Sequence, residues 1–166
     1  MTKTNSFAPM ANSNATILIL GSIPGIASIK ANQYYAHPRN AFWPIMGHLF
    51  NFNASLGYEL RIQALKEANV AIWDVLQKCE RSGSLDSAIK AGSRIPNDFG
   101  AFLAKHPHIR FIAFNGEEAE KSFKRYVFNQ LNLTNLVYIK LPSTSSAHTL
   151  SLTQKIAAWR SIININ

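Results

Sequence analysis

The chain has 166 residues, and its 17 Lys and Arg against 9 Asp and Glu leave a net charge of +8; it is long enough to bury one core without metal or disulfide staples, and its surplus charge favours a polyanionic partner, nucleic acid first. Cys79 is alone, which excludes an internal disulfide, a four-cysteine iron–sulfur cluster and a cysteine-based zinc site, and the five histidines form no i, i+4 pair that would mark a metal. No apolar stretch approaches the roughly 20 residues that span a bilayer, and residues 1–14 lack the apolar region of a signal peptide, so the expected setting is cytoplasmic, with no membrane, no metal, no cofactor and no obligate protein partner.

Residues 1–15 are polar and read as a loose N-terminal arm, pinned at most by Phe7 and Pro9, ahead of a single domain over 16–166. Four apolar runs rich in β-formers then end abruptly in polar or glycine residues: 16–20, 70–73, 109–114 and 136–141. Residues 21–39 are too long for an ordinary strand-to-helix connection, which marks that loop as functional. A helix is expected after Asn40, with Pro44 in its first turn. The spacing of Leu60, Ala64, Leu65 and Ala68 predicts a helix over 58–68. Ser84 and Asn97 each read as the cap of a short helix, the second burying Phe99, Phe102 and Leu103. Residues 117–131 read as a helix with acidic residues in its first turn and Ala119, Phe123, Tyr126 and Val127 inward. Ser151 and Gln154 fit a capping box that opens a last helix. Strands alternating with helices predict an α/β fold, a three-layer α/β/α sandwich around a mainly parallel four-stranded sheet. Such sheets bind ligands where the carboxyl ends of their strands open onto loops, so the four polar endings should meet on one rim.

Three of those endings carry recognisable chemistry. Gly21-Ser22-Ile23-Pro24-Gly25 is a tight turn at the mouth of the first strand; it lacks the Gly-Lys-Ser/Thr ending of a phosphate-binding loop and is compatible with a purely structural bend. The stretch Gln33-Tyr34-Tyr35-Ala36-His37-Pro38-Arg39-Asn40-Ala41-Phe42-Trp43 combines aromatic faces that stack on bases, cationic groups and an amide, although aromatics in a loop also serve simply to cover a sheet. Asp74, at the second strand end, is open to three readings: a pocket residue, a partner that orients an asparagine, or a loop cap. In Pro142-Ser143-Thr144-Ser145-Ser146-Ala147-His148 the hydroxyls and backbone N–H groups suit phosphates or a solvated turn, and His148 suits a phosphate, a base or an ordinary surface bond. Lys121, Lys124 and Lys155 read as members of solvated helix faces.

On these motifs, together with Trp73-Asp74-Val75-Leu76, Gly83-Ser84-Leu85-Asp86, Phe114-Asn115-Gly116 and Leu141-Pro142-Ser143-Thr144-Ser145, the chain resembles the uracil-DNA glycosylase superfamily, most closely its hypoxanthine-DNA glycosylase branch. Each motif is weak alone, and their shared order over residues 21–148 is specific. The resemblance implies an enzyme that pinches the DNA backbone, flips a deaminated base into a pocket and hydrolyses its N-glycosidic bond. It maps Asn40 onto the asparagine that supports catalysis in this branch, Asn115 onto one that reads the base, and Phe42 onto the aromatic that stacks on it. Ser22, Ile23, Tyr35 and Asp74 complete the expected base pocket. Leu141, Pro142, Ser143, Thr144, Ser145, Ser146 and His148 match the loop that presses phosphates and wedges the duplex, with Arg39 as a further DNA contact.

Uracil-cleaving relatives carry polar groups where this chain has Ile23 and Leu141, so hypoxanthine is expected in preference to uracil. Alternative readings are a uracil- or mismatch-specific glycosylase, and a non-catalytic binder of single-stranded nucleic acid that uses the same aromatics and charge.

Overall fold

In the computed structural model, which describes residues 1–131 and 135–164, thirteen α-helices and β-strands make up the regular structure of the described residues, besides short 3-10 turns. They run β1 (Thr2–Asn5), β2 (Ile17–Gly21), α1 (Ile26–Ala31), α2 (Phe42–Phe50), α3 (Tyr58–Glu67), β3 (Val70–Asp74), β4 (Leu76–Arg81), β5 (Ile95–Pro96), α4 (Phe99–Lys105), β6 (Phe111–Asn115), α5 (Glu117–Tyr126), β7 (Val137–Leu141) and α6 (Leu152–Trp159). Strands β3, β2, β6 and β7, in that order, form an all-parallel sheet. This is the expected central layer.

The sheet is apolar on both faces because helices cover both. Strand alternation sends Leu18, Leu20, Trp73, Ile112 and Phe114 to one side, where Phe99, Phe102 and Phe123 of α4 and α5 meet them. Ile19, Ile72, Ala113 and Leu141 face the other side, against Phe42, Trp43, Ile45, Leu65 and Trp159 of α2, α3 and α6. Local chemistry sets the helix ends. Ser151 and Gln154 form the predicted capping box, with the Ser151 Oγ accepting from Gln154 N at 3.2 Å and the Gln154 Oε1 accepting from Ser151 N at 2.9 Å. Glu117, Glu118 and Glu120 occupy the first turn of α5 and Lys124 and Arg125 its last, as the helix dipole favours.

Several expectations are corrected. The first fifteen residues are not a loose arm: β1 pairs antiparallel with β4, Met10 bridges Ile72, Trp73 Nε1 donates to the Phe7 carbonyl at 3.1 Å, and the Phe7 ring meets Tyr34 edge-on at 5.2 Å. With β5 these strands make a second, antiparallel sheet of order β1-β4-β5 that strand spacing did not announce. Its middle strand reads Leu-Gln-Lys-Cys-Glu-Arg, without a clean apolar alternation, and only Val75 separates it from β3, so no glycine or proline marks the boundary.

The long loop over 21–39 holds the one-and-a-half-turn helix α1. Ser84 opens only a 3-10 turn at Asp86–Ala88, and its hydroxyl instead accepts from Ile26 N at 2.9 Å. Helix α4 is capped by Asp98, one residue beyond Asn97. Asn97 donates to the Asp74 carbonyl at 2.8 Å. Helix α5 ends at Tyr126 and a 3-10 turn follows at Phe128–Gln130; of the predicted span to 131, nothing falls outside the described residues.

Candidate active site

The four parallel strands end level with one another. Gly21 is in register with Asp74 and Asn115 with Leu141, while Leu20 pairs with Phe114, so the last residues of all four strands form a row along one edge of the sheet. From β2 the chain moves to β3 on one side and then to β6 on the other, which opens a crevice above β2. A cleft of about 680 Å³ occupies it, walled by the turn after β2, the aromatic loop before α2, residues 84–87 and the loop after β7.

Tyr35 enters the cleft from a left-handed backbone conformation, φ 55°, that a bulky residue adopts only when its surroundings hold it. The neighbouring bonds supply that hold: Tyr34 N donates to the Tyr58 hydroxyl at 3.1 Å, Trp43 Nε1 to the Tyr34 carbonyl at 3.0 Å, and Ala36 N to Ser28 Oγ at 3.1 Å. Beneath it lies Phe42, whose ring stacks on that of Tyr35 with centroids 3.9 Å apart and 20° between planes. Phe42 is fully buried and does not line the cleft, so the expectation that it stacks on a base is corrected: as the first residue of α2 it points into the core and supports the aromatic that does reach the cleft.

Asp74 sits on the cleft floor, 4% exposed, with no hydrogen-bond partner at Oδ2. Burial, and then the charge of Asp86, raise its carboxyl to about 7, against a smaller opposite pull from Arg81. Burial first, and the Asp74 charge second, hold the Tyr35 phenol above its ordinary range, so it stays a neutral donor. Gly21 makes this crowding possible. A Cβ there would lie 2.6 Å from Asp74 Oδ1 and 3.0 Å from the Tyr35 hydroxyl.

Behind the turn, Arg81 is 1% exposed and donates to the carbonyls of Pro24 and Ser84, with Asp86 3.7 Å away. Ser22 donates to Asp86 Oδ1 at 2.7 Å. This brace had no sequence signal, since an arginine and an aspartate five residues apart in a loop region look like ordinary surface charges.

The loop after β7 is tied down by its carbonyls. Pro142 accepts from Trp159 Nε1 at 2.9 Å, Thr144 from Ala41 N at 2.9 Å, and Ser145 from Lys155 Nζ at 2.9 Å. Lys155 is therefore not on a solvated face; it is 3% exposed and lies behind the loop. Asn115 faces the same loop. Its Nδ2 donates to Thr144 Oγ1 and its Oδ1 accepts from Thr144 N, both at 2.9 Å, which fixes the amide and leaves one N–H and one lone pair for the cleft.

Of the residues expected at a site, Ser22, Ile23, Tyr35, Asn40, Asp74 and Asn115 line the cleft, and Ser143, Thr144, Ser145, Ser146 and His148 form its far wall. The Oδ1 of Asn40 accepts from Phe42 N at 2.9 Å, which fixes the amide and leaves its Nδ2 for the cleft. Thr144 is buried under the Asn115 clasp and is a structural anchor, not a phosphate contact. Leu141 is corrected too: strand alternation turns it into the core, 4% exposed, so it cannot wedge a duplex. Pro142 and Arg39 lie outside the cleft lining, and Arg39 is exposed. His37 and Lys121 line the cleft without having been singled out as site residues. Among the described residues, no three His, Cys, Asp or Glu side chains converge where a metal could sit.

A sequence model of the uracil DNA glycosylase superfamily matches residues 8–163. The chain belongs to the uracil DNA glycosylase superfamily. Within that superfamily it is similar to a protein named hypoxanthine DNA glycosylase from Methanosarcina barkeri (strain Fusaro / DSM 804), 36% identical over 118 residues that make up 70% of this chain and 73% of the relative. A second protein of that name, from Methanosarcina acetivorans, is 40% identical over 114 residues, 68% of this chain and 71% of the relative. A solution NMR structure from Methanosarcina acetivorans, described as a candidate uracil DNA glycosylase, superposes with a TM-score of 0.79 at 30% identity, covering 98% of this chain and 99% of that one. The superfamily match spans both walls of the cleft.

Proposed function

We propose that this protein is a DNA glycosylase that flips deaminated bases, chiefly hypoxanthine, out of DNA and hydrolyses the N-glycosidic bond to leave an abasic site. The observation that carries the reading is the cleft at the strand ends. Its floor is an aromatic face and a buried carboxyl, and its far wall is a loop rich in hydroxyls. The superfamily match and the names of the two relatives support the same assignment.

The reaction breaks the bond between C1′ of the sugar and the base nitrogen. Water adds its oxygen to C1′ and loses a proton, while the base leaves with the bonding pair and takes up a proton. Positive charge builds on the sugar in the transition state and negative charge on the base, so the enzyme must place dipoles and charges for both. Asn40, its Oδ1 fixed by Phe42 N, orients the water through its free Nδ2 and remaining lone pair. Being neutral, it positions rather than deprotonates. Hypoxanthine leaves readily once protonated at N7, whereas uracil departs as an anion and needs polar stabilisation. The aliphatic Ile23 on the cleft wall suits the purine. Ser143 and Ser146 reach phosphates with hydroxyl and backbone N–H groups, because the carbonyls of their loop are tied inward.

The test is incubation with duplex and single-stranded oligonucleotides carrying hypoxanthine, uracil or xanthine, followed by alkaline cleavage of abasic sites. Cuts at hypoxanthine are expected to dominate. Salt-sensitive binding with no cut on any lesion would replace this reading with a non-catalytic nucleic-acid binder.

A further inference from the structure

We infer that Lys155 is the counter-charge of a DNA phosphate: sealed behind the loop after β7, its ammonium acts through the Ser145–Ser146 peptide on a phosphate seated outside the loop. The inference rests on the reading that this loop meets the DNA backbone, and it adds a positioning residue that never touches the nucleic acid.

Lys155 is 3% exposed. Lysine is almost never buried without a partner of opposite charge, because taking an ammonium out of water costs far more than one hydrogen bond returns. Among the described residues its ammonium donates to the Ser145 carbonyl at 2.9 Å, and no carboxylate comes within ion-pair distance of it. Burial lowers its pKa from the ordinary lysine value, with no neighbouring acid to oppose the shift. A methionine would fill the same space at less cost. A charge kept under these conditions is explained by an anion that arrives from outside the protein.

The loop shows where that anion sits. The Ser145 carbonyl also accepts from His148 N at 3.0 Å, so two donors hold it inward. In a trans peptide the following N–H points the opposite way, which turns the Ser146 N–H outward on a residue that is exposed and lines the cleft. That N–H has no acceptor among the described residues. A phosphate oxygen bonded to it lies no more than about 8 Å from the ammonium, the sum of two hydrogen bonds and the width of one peptide. Such a separation is about one Debye length at most, and a pair with protein on one side is screened less than two surface charges. The ammonium also polarises the peptide between them, so the Ser146 N–H is a stronger donor than an unassisted one.

Fluorescence anisotropy on duplexes carrying an abasic-site analogue tests this, with the phosphates around the site replaced one at a time by neutral methylphosphonate. In the wild-type protein, neutralising the phosphate on Ser146 should raise the dissociation constant about tenfold. In Lys155→Met the same replacement should raise it no more than about twofold, while replacements elsewhere cost both proteins equally. Lys155→Gln keeps a donor for the Ser145 carbonyl without the charge and should behave as Lys155→Met does; it also serves where the methionine variant does not fold. Equal losses in wild type and Lys155→Met at every phosphate, a wild-type protein indifferent to all of them, or full wild-type sensitivity in Lys155→Gln each overturns the counter-charge. Excision of hypoxanthine by the wild-type protein is scored separately. Release without the coupling leaves the glycosylase reading standing, and coupling without release leaves the phosphate site and removes the enzyme.

Discussion

Replacing Asp74 with asparagine should stabilise the fold, and more so as the pH rises. The carboxyl is buried beside Asp86, offset in part by Arg81, and is held at about 7 instead of its ordinary 3.8. An acid whose folded-state pKa is raised contributes stability that is fully present below about pH 4, where both states are protonated, and is lost as pH climbs through 7, where only the unfolded chain has long been ionised. The full difference is roughly 4 kcal/mol. Between pH 5 and pH 8 the wild-type protein should therefore lose about 2–3 kcal/mol relative to Asp74→Asn. Urea unfolding of both proteins across that range isolates the effect, because titrations elsewhere in the chain cancel in the difference while m stays constant. A gap between the two proteins that does not widen with pH would mean that the carboxyl finds a partner in solution and is not held neutral by burial.

Asn115→Ala should slow excision on duplex DNA mainly by weakening binding, because it orphans the Thr144 N–H and frees the serine loop; a loss of about 1–3 kcal/mol in stability, seen by thermal unfolding, should accompany it. Lys155→Met keeps the buried stem and removes the ammonium behind Ser145, so the dissociation constant for abasic-site duplex should rise about three- to tenfold, measured by fluorescence anisotropy. Gly21→Ala should fold, as circular dichroism would show, yet lose most excision, since its Cβ occupies the space between Asp74 and Tyr35. Duplex affinity should fall steeply with salt, roughly 0.9 in log–log slope per phosphate neutralised, and a flat titration would dissociate the +8 charge from DNA binding.

The central sheet was legible because its four runs are apolar, short and closed by turn residues, and burial on both faces leaves little else such runs can be. The rim followed from topology, since motif and strand order bring Ser22, Tyr35, Asn40 and Asp74 to one cleft. What escaped was decided by tertiary direction. Whether Phe42 or Tyr35 faces the cleft depends on the left-handed turn at Tyr35, and a non-glycine residue with positive φ leaves no trace in composition. Leu141 and Lys155 were misjudged for the same reason. Strand parity turns the leucine inward, and the lysine's burial depends on a carbonyl ten residues earlier in the chain. The second sheet has no local signal because β4 reads as charged surface and its partners lie far off in the sequence, at residues 2–5 and 95–96.

That pairing also bears on how the molecule matures during synthesis. Residues 2–5 leave the ribosome well before residues 78–81, with which they pair, and the serine loop is unsecured until Lys155 and Trp159 arrive. Domains assemble as their segments become available, with sequence-distant contacts closing late. Here β1 waits for β4, and the far wall of the cleft waits for α6. Helix α6 therefore closes the second hydrophobic layer and secures the serine loop in one step.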